Sequence, residues 1–308
     1  MIVVAGEALI DLILHPDGRL TAIPGGGPFN TARTIARLDV DVAFLGRLST
    51  DRFGAALTEA LAHDGVDLRW AITTEAPTSL AVAELDERGA ASYRFHLAET
   101  SAPGLTLEDT LAALRLAPKA LHVGTLGLAV DPMASALAAG VLRADPATLV
   151  MLDPNCRPRV IPDRDVYLAR LRRVLARADV VKVSADDLAY LAPDTTPTEA
   201  ARSLLADGVR VVLLTDGPRA VAVLTAAFAF ESPVPDAAVV DTVGSGDAFG
   251  GAFLARWVER DLGRTQLGDE EALREAVSRA IEVATITCQR PGADPPRRAE
   301  VDWPPAAA

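Results

Sequence analysis

Between Asp241 and Phe253 the chain reads DTVGSGDAFGGAF, four glycines and two aspartates placed where the apolar run Ala237–Val240 gives way to a helix-like pattern. Phe249, Phe253 and Trp257 then recur every four residues, as on one face of a helix, which puts Gly244-Ser245-Gly246-Asp247 at its N-terminus. Unpaired N–H groups point outward there and the helix dipole favours negative charge, so a phosphate would fit. A carboxylate beside an anion site is repulsive unless it has a task, and Asp247 could take a proton from the nucleophile that attacks the phosphate. The alternative is a tight turn with Asp247 as an ordinary N-cap or first-turn acid. The string is not a GxxxxGK[ST] phosphate loop, since no lysine follows. Nor is Gly25-Gly26-Gly27-Pro28-Phe29-Asn30 a GxGxxG fingerprint, because Pro28 and Asn30 occupy the wrong places.

Such residues need a scaffold, and the apolar pattern predicts one. Runs rich in Val and Leu recur at Ile2–Ala5, Val42–Leu45, Leu121–Val123, Leu149–Leu152, Val180–Val183, Val211–Leu214 and Val221–Leu224. Helix-periodic stretches separate most of them, including Phe29–Leu38, Gly54–His63, Pro132–Leu142 and Asp165–Ala178. That alternation predicts an α/β fold with a mostly parallel sheet covered on both faces, which binds ligands beyond the carboxyl ends of its strands. Two stretches break the rhythm. Ser79–Leu85 and Ala91–Leu97 alternate in polarity around Asp86-Glu87-Arg88-Gly89, and Leu12–Ile23 turns at Pro16-Asp17-Gly18, so both read as hairpins. Together they imply a small projecting sheet, serving as a lid or dimer surface, or else an edge extension of the main sheet.

Composition narrows the partners. A net charge of −12 and a pI near 4.8 repel nucleic acid and anionic lipid, and no basic stripe overrides this. The first residues, MIVVAGEALIDLIL, are broken by Glu7 and Asp11 and lack a basic leader, so they read as a first strand, and no apolar run is long enough to span a bilayer. Cys156 and Cys288 form neither a disulfide framework nor a zinc spacing, which points to a cytoplasmic address. Only Lys119 and Lys182 are lysines, a bias that reads as genomic composition rather than chemistry. Cys156 and His122 read as a small buried thiol and a structural histidine, and the Pro/Ala-rich stretch after Pro295 as a poorly ordered tail.

Several stretches together resemble the ribokinase-like sugar kinases, also called the PfkB family. The resemblance runs from GEALIDL (Gly6–Leu12) through GGGPFNTA (Gly25–Ala32), LDPNCRP (Leu152–Pro158) and DTVGSGDAFGGAF to QRPGADPP (Gln289–Pro296). It implies one ribokinase-like domain over residues 1–308, an α/β/α sandwich with a lid formed by about 12–23 and 79–97. Asp247 then stands at the catalytic base, and the Gly244, Ser245, Gly246 and Asp247 amides form the hole for the transferred phosphoryl group. Asp11, Gly25, Gly26 and Asn30 fall at sugar-binding positions, where a carboxylate and a carboxamide suit hydroxyls. Arg157 would reach the phosphate with its planar fork, or lie on the surface. Ser184 and Asp187 stand where the family carries NxxE, which helps organise Mg²⁺ and phosphate, and the shorter Asp187 would act on the metal through water. Thr215 and Gly217 match a nucleotide-contacting turn, or an ordinary hairpin turn. Asp241, Thr242 and Gly292 suggest a monovalent-cation loop for K⁺, although turn chemistry also explains them.

The resulting expectation is a kinase moving the γ-phosphoryl of Mg·ATP to a small sugar, fructose first, with a homodimer through the lid. Arg94 and His96 on the second hairpin could greet a carboxylate and keep 2-keto-3-deoxygluconate in play beside ribose. A sugar- or nucleoside-binding regulator on a degenerate kinase fold is the rival that does no chemistry, disfavoured because base and glycines are present. An NAD-binding dehydrogenase ranks last for want of GxGxxG.

Overall fold

The computed structural model describes residues 1–85 and 91–305. Its strands, in chain order, are β1 (Ile2–Ala5), β2 (Leu9–Leu14), β3 (Leu20–Gly25), β4 (Val42–Ser49), β5 (Ala71–Thr74), β6 (Leu80–Leu85), β7 (Ala91–His96), β8 (Ala120–Gly124), β9 (Leu149–Asp153), β10 (Val180–Ser184), β11 (Val211–Thr215), β12 (Ala220–Thr225) and β13 (Ala229–Pro233). The helices are α1 (Gly27–Arg37), α2 (Arg52–Asp64), α3 (Leu107–Leu114), α4 (Met133–Val141), α5 (Arg164–Leu175), α6 (Ala185–Leu191), α7 (Pro197–Ala206), α8 (Ser245–Glu259) and α9 (Glu270–Cys288). Among the described residues a nine-stranded sheet runs β13-β12-β11-β10-β9-β8-β1-β4-β5. Its pairs are parallel from β5 to β11, and β12 and β13 close the far edge as antiparallel hairpins.

The apolar runs of the central strands are continuous because both faces are covered. Successive residues alternate between two cores: Val4, Phe44, Met151 and Leu213 pack against α1, α8 and α9, whereas Val3, Leu45, Val150 and Val212 pack against α4, α5 and α7. The seven predicted strands and four predicted helices all form. β5 and β13 had no clear signal, since as edge strands they carry few buried residues for periodicity to reveal.

Both predicted hairpins form and join side by side. β2 pairs β3 and β6 pairs β7 antiparallel, and β2 and β6 run parallel to make a separate four-stranded sheet, not an edge extension of the main one. The turn at Asp86-Glu87-Arg88-Gly89 lies outside the described residues.

As far as residue 305, the stretch after Pro295 departs from the expectation of a poorly ordered tail. Arg37 donates to Asp294 and to the Pro295 carbonyl, Arg298 pairs with Glu259 at 2.7 Å, and Trp303 Nε1 donates to the same carboxylate at 2.7 Å. Trp303 is buried beneath Arg256. A proline-rich composition read as loose is thus pinned by arginines whose partners are distant in sequence.

Candidate active site

A cavity of about 700 Å³ opens where the carboxyl ends of β1, β8, β9 and β10 meet the small sheet. The sheet supplies its wall through alternation: Leu9 and Asp11 of β2, Ala81 of β6, and Tyr93 and Phe95 of β7 share one face, with Asp11, Ala81 and Phe95 in register. Arg94 and His96 have the opposite parity and do not line this cavity, and Arg94 instead pairs with Glu84 at 3.6 Å. The expectation that they meet a substrate carboxylate is corrected by that one-residue offset.

Asp247 lies at the cavity floor in the first turn of α8, where Asn30 Nδ2 donates to its Oδ2 at 2.9 Å. Desolvation by the surrounding protein raises its pKa to about 7; the Asn30 bond opposes this, and the negative charge of Asp153 adds to it. Such a carboxyl is poised to take a proton near neutral pH. Asn30 is buried with its Oδ1 unpartnered among the described residues, an acceptor left over for a hydroxyl.

The helix start above it is open. Gly244 caps α8 at φ 74°, and among the described residues the N–H groups of Gly244, Gly246 and Asp247 have no acceptor. The Ser245 amide reaches the Thr242 carbonyl at 3.3 Å, and its hydroxyl donates to the same oxygen at 2.9 Å, so Ser245 turns away from the cavity. Three amides of the expected four are therefore left without an acceptor among the described residues.

Across the cavity, Asp11 is largely desolvated and its pKa is raised to about 6, with the positive charge of Arg157 working the other way. A side chain at Gly25 would collide with the Asp11 carboxylate, so Gly25 makes room for it, while Gly26 lines the cavity directly. Arg157 lies on the rim, exposed, its guanidinium folded onto the carbonyls of Asn155 and Cys156 at 3.2 Å.

Of the remaining expected residues, only Thr242 lines this cavity. Ser184 and Asp187 form the capping box that starts α6, and Asp187 spends its second oxygen on the Cys156 N–H at 2.6 Å. Thr215 is the register partner of Ser184 on β11, and Gly217 turns the following hairpin at φ 55° with open space around it. Asp241 accepts from the Gly292 N–H at 2.9 Å, which brings those two loop residues together, and Thr242 lines the cavity. His122 and Cys156 are buried; burial lowers the His122 pKa to about 3 and raises the Cys156 thiol to about 12.

Three charged residues at the site escaped the sequence reading. Glu7, buried just after β1, accepts from the N–H groups of Gly27 at 3.3 Å and Gly127 at 3.2 Å, and desolvation pushes its pKa to about 8. Lys182 of β10 lines the cavity and donates to Asp153 of β9 at 2.7 Å, both side chains buried. The available signal was a charge set inside a run that otherwise reads as buried strand, as in VVKVS.

The chain matches the family model described as pfkB family carbohydrate kinase over residues 1–299. It is 31% identical over 305 residues to Fructokinase-2 of Oryza sativa subsp. japonica, covering 96% of this chain and 90% of that one. A fructokinase of Vibrio alginolyticus is 34% identical over 257 residues, covering 82% of each. Among solved structures, a fructokinase with bound ATP from Xylella fastidiosa superposes with a TM-score of 0.88 at 28% identity, covering 95% of this chain and 93% of that one. A fructokinase from Vibrio cholerae O395 in a form with fructose, ADP and calcium ion superposes with a TM-score of 0.82 at 27% identity, covering 95% and 94%.

Proposed function

This chain belongs to the pfkB family of carbohydrate kinases, and we propose that it transfers the γ-phosphoryl group of ATP to a hydroxyl of free fructose. One observation carries the reading: a desolvated carboxylate, Asp247, sits between unspent helix amides on one side and Asp11 with Asn30 on the other. As the sugar oxygen bonds to the γ-phosphorus, its proton passes to Asp247, and the bond from phosphorus to the bridging oxygen breaks with its electron pair leaving on ADP. The amides of Gly244, Gly246 and Asp247 stabilise the equatorial oxygens, and Arg157 swings from the rim to add its fork. Asp11 and the free Asn30 oxygen accept from sugar hydroxyls, which suits a neutral polyol.

The ATP would extend from the amides over the ends of β10 and β11, past Ser184 to Thr215 and Gly217. Mg²⁺ would arrive on its phosphates; Asp187, both of whose oxygens already bond protein donors, suits a contact through metal-bound water. Asp241 and Gly292, drawn together beside Thr242, are where K⁺ would bind. The whole chain would act as one cytoplasmic kinase domain with the small sheet as its lid. Leu20, exposed on the face of that sheet turned away from the cavity, favours a homodimer through it, which light scattering of Leu20→Glu against wild type would test.

Phosphorylation across a panel of sugars tests the substrate. Fructose should lead by kcat/KM; a tenfold or greater lead for ketodeoxygluconate, ribose or a nucleoside, about 1.4 kcal/mol of transition-state preference, would sink the fructose reading. Binding of a sugar or nucleoside with no ATP turnover on any of the panel would favour the regulator instead.

A further inference from the structure

The residue that the family reading leaves without a task is Lys182. It leaves β10 on the face covered by α8, and its stem runs beneath the first turn of that helix. The helix is built to admit it. A methyl added at 246 would come within 3.0 Å of Lys182 Nζ, tighter than side chains ordinarily pack, whereas one at 250 would meet Lys182 Cδ only at 3.9 Å, an ordinary contact. Glycine inside a helix costs about 1 kcal/mol relative to alanine, and at 246 it leaves the ammonium room beneath the open helix start.

The ammonium has one partner among the described residues, Asp153 Oδ2, which leaves two of its three donors unspent at the cavity. Burial works against its charge, but the carboxylates around it, Asp153 first and then Asp187 and Asp247, more than offset this and hold it protonated. Arg157, by contrast, is exposed and bonded to its own loop, so it must move before it can meet a phosphate. Lys182 is already in place.

We propose that Lys182 is a catalytic residue whose ammonium, held by Asp153, donates to the phosphoryl group during transfer from beneath the first turn of α8. The proposal rests on the phosphotransfer reading. Lys182 neither gains nor loses a proton: the sugar proton goes to Asp247, the new bond joins sugar oxygen to phosphorus, and the electron pair of the broken bond leaves on ADP. Asp153 is a positioning residue, keeping the cation charged and aimed.

The wild-type sugar panel comes first, and if a sugar other than fructose leads, the substrate is revised and the comparison is made with that sugar. Lys182→Met should then lower kcat by about 10²–10³-fold, the range for losing one preorganised donor, with KM for the sugar changed by less than about threefold. Because Lys182→Met strands a buried carboxylate and can unfold the chain, the decisive protein is Asp153→Asn/Lys182→Met, which removes both charges. It should melt close to wild type yet stay at least about a hundredfold down in kcat, and should bind ADP with aluminium fluoride and sugar correspondingly more weakly while binding ADP alone normally. Recovery of kcat to within about threefold of wild type in the double variant, with tight fluoride binding, would make the pair a structural strut and overturn the proposal.

Discussion

Two helices begin at this cavity in the same way and meet opposite fates. α1 and α8 both start from a glycine at positive φ, Gly26 at 109° and Gly244 at 74°, and neither has a side-chain cap. At α1 the Glu7 carboxyl reaches in and takes the Gly27 N–H, and a second acceptor bond from Gly127 fixes that carboxyl across the turn after β8. At α8 no side chain among the described residues does so, and Lys182 with its positive charge lies below. A glycine-rich helix start is therefore an anion site only if the protein leaves its amides open. On the proposed reading α1, with its end closed by an acid, would present Asn30 to a neutral sugar, and α8 would receive the phosphate.

The largest effect should follow from removing the acid at the open end. Asp247→Asn should lower kcat by about 10²–10⁴-fold, with fructose binding by calorimetry retained; near-normal turnover would show that another group takes the proton. In wild type kcat should rise with pH through about 7 and level off above it, since the carboxylate is the active form. The same group weakens the fold when ionised. Its folded pKa lies above its ordinary value, so stability is greatest below about 3.8 and is lost as pH rises through about 7; Asp247→Asn should therefore melt higher than wild type at pH 8 and alike at pH 3.5.

On the sugar side, Asp11→Asn should raise KM for fructose by about 10–100-fold, the worth of one charge-assisted hydrogen bond, with a smaller change in kcat. A loss confined to kcat would move Asp11 from binding to chemistry. The closure of α1 is tested by Glu7→Gln, which turns part of an acceptor into a donor facing the Gly27 and Gly127 amides and should cost about 1–3 kcal/mol of stability in urea titrations. Because Glu7 has its pKa raised to about 8, wild type should lose stability as pH rises through that value and the variant should not; parallel pH curves would mean that the carboxyl does not titrate in the fold. The smallest change is expected at Ser245→Ala, within about twofold in kcat, because the hydroxyl is turned to the Thr242 carbonyl and away from the cavity. A tenfold loss there would return Ser245 to the phosphate site.

Much of the site was legible because it is local. Glycines and an acid at a helix start carry their meaning within a few residues, whereas Asn30 and Asp11, which alone read as a helix cap and a solvated loop acid, gain theirs from the resemblance of the motifs around them. Lys182 was passed over as compositional bias, and Asp153 and Glu7 as unremarked letters of their motifs, because a buried charge is recognisable only by the partner that keeps it. Arg94 and His96 were placed on the wrong side for a related reason: hairpin alternation shows that two faces exist, but not which one looks inward.

The sequence by itself determined the layered α/β fold, the two hairpins and the acid at the head of α8, since periodicity and backbone conformation are properties of neighbours along the chain. Only the tertiary structure decided which amides stay open, which face of the small sheet lines the cavity and which cation lies beneath the open start of α8. Those outcomes depend on residues such as Glu7 and Gly27, or Lys182 and Gly246, that meet only when strands and helices pack, and desolvation at that meeting is what moves Glu7 to about 8 and Asp247 to about 7.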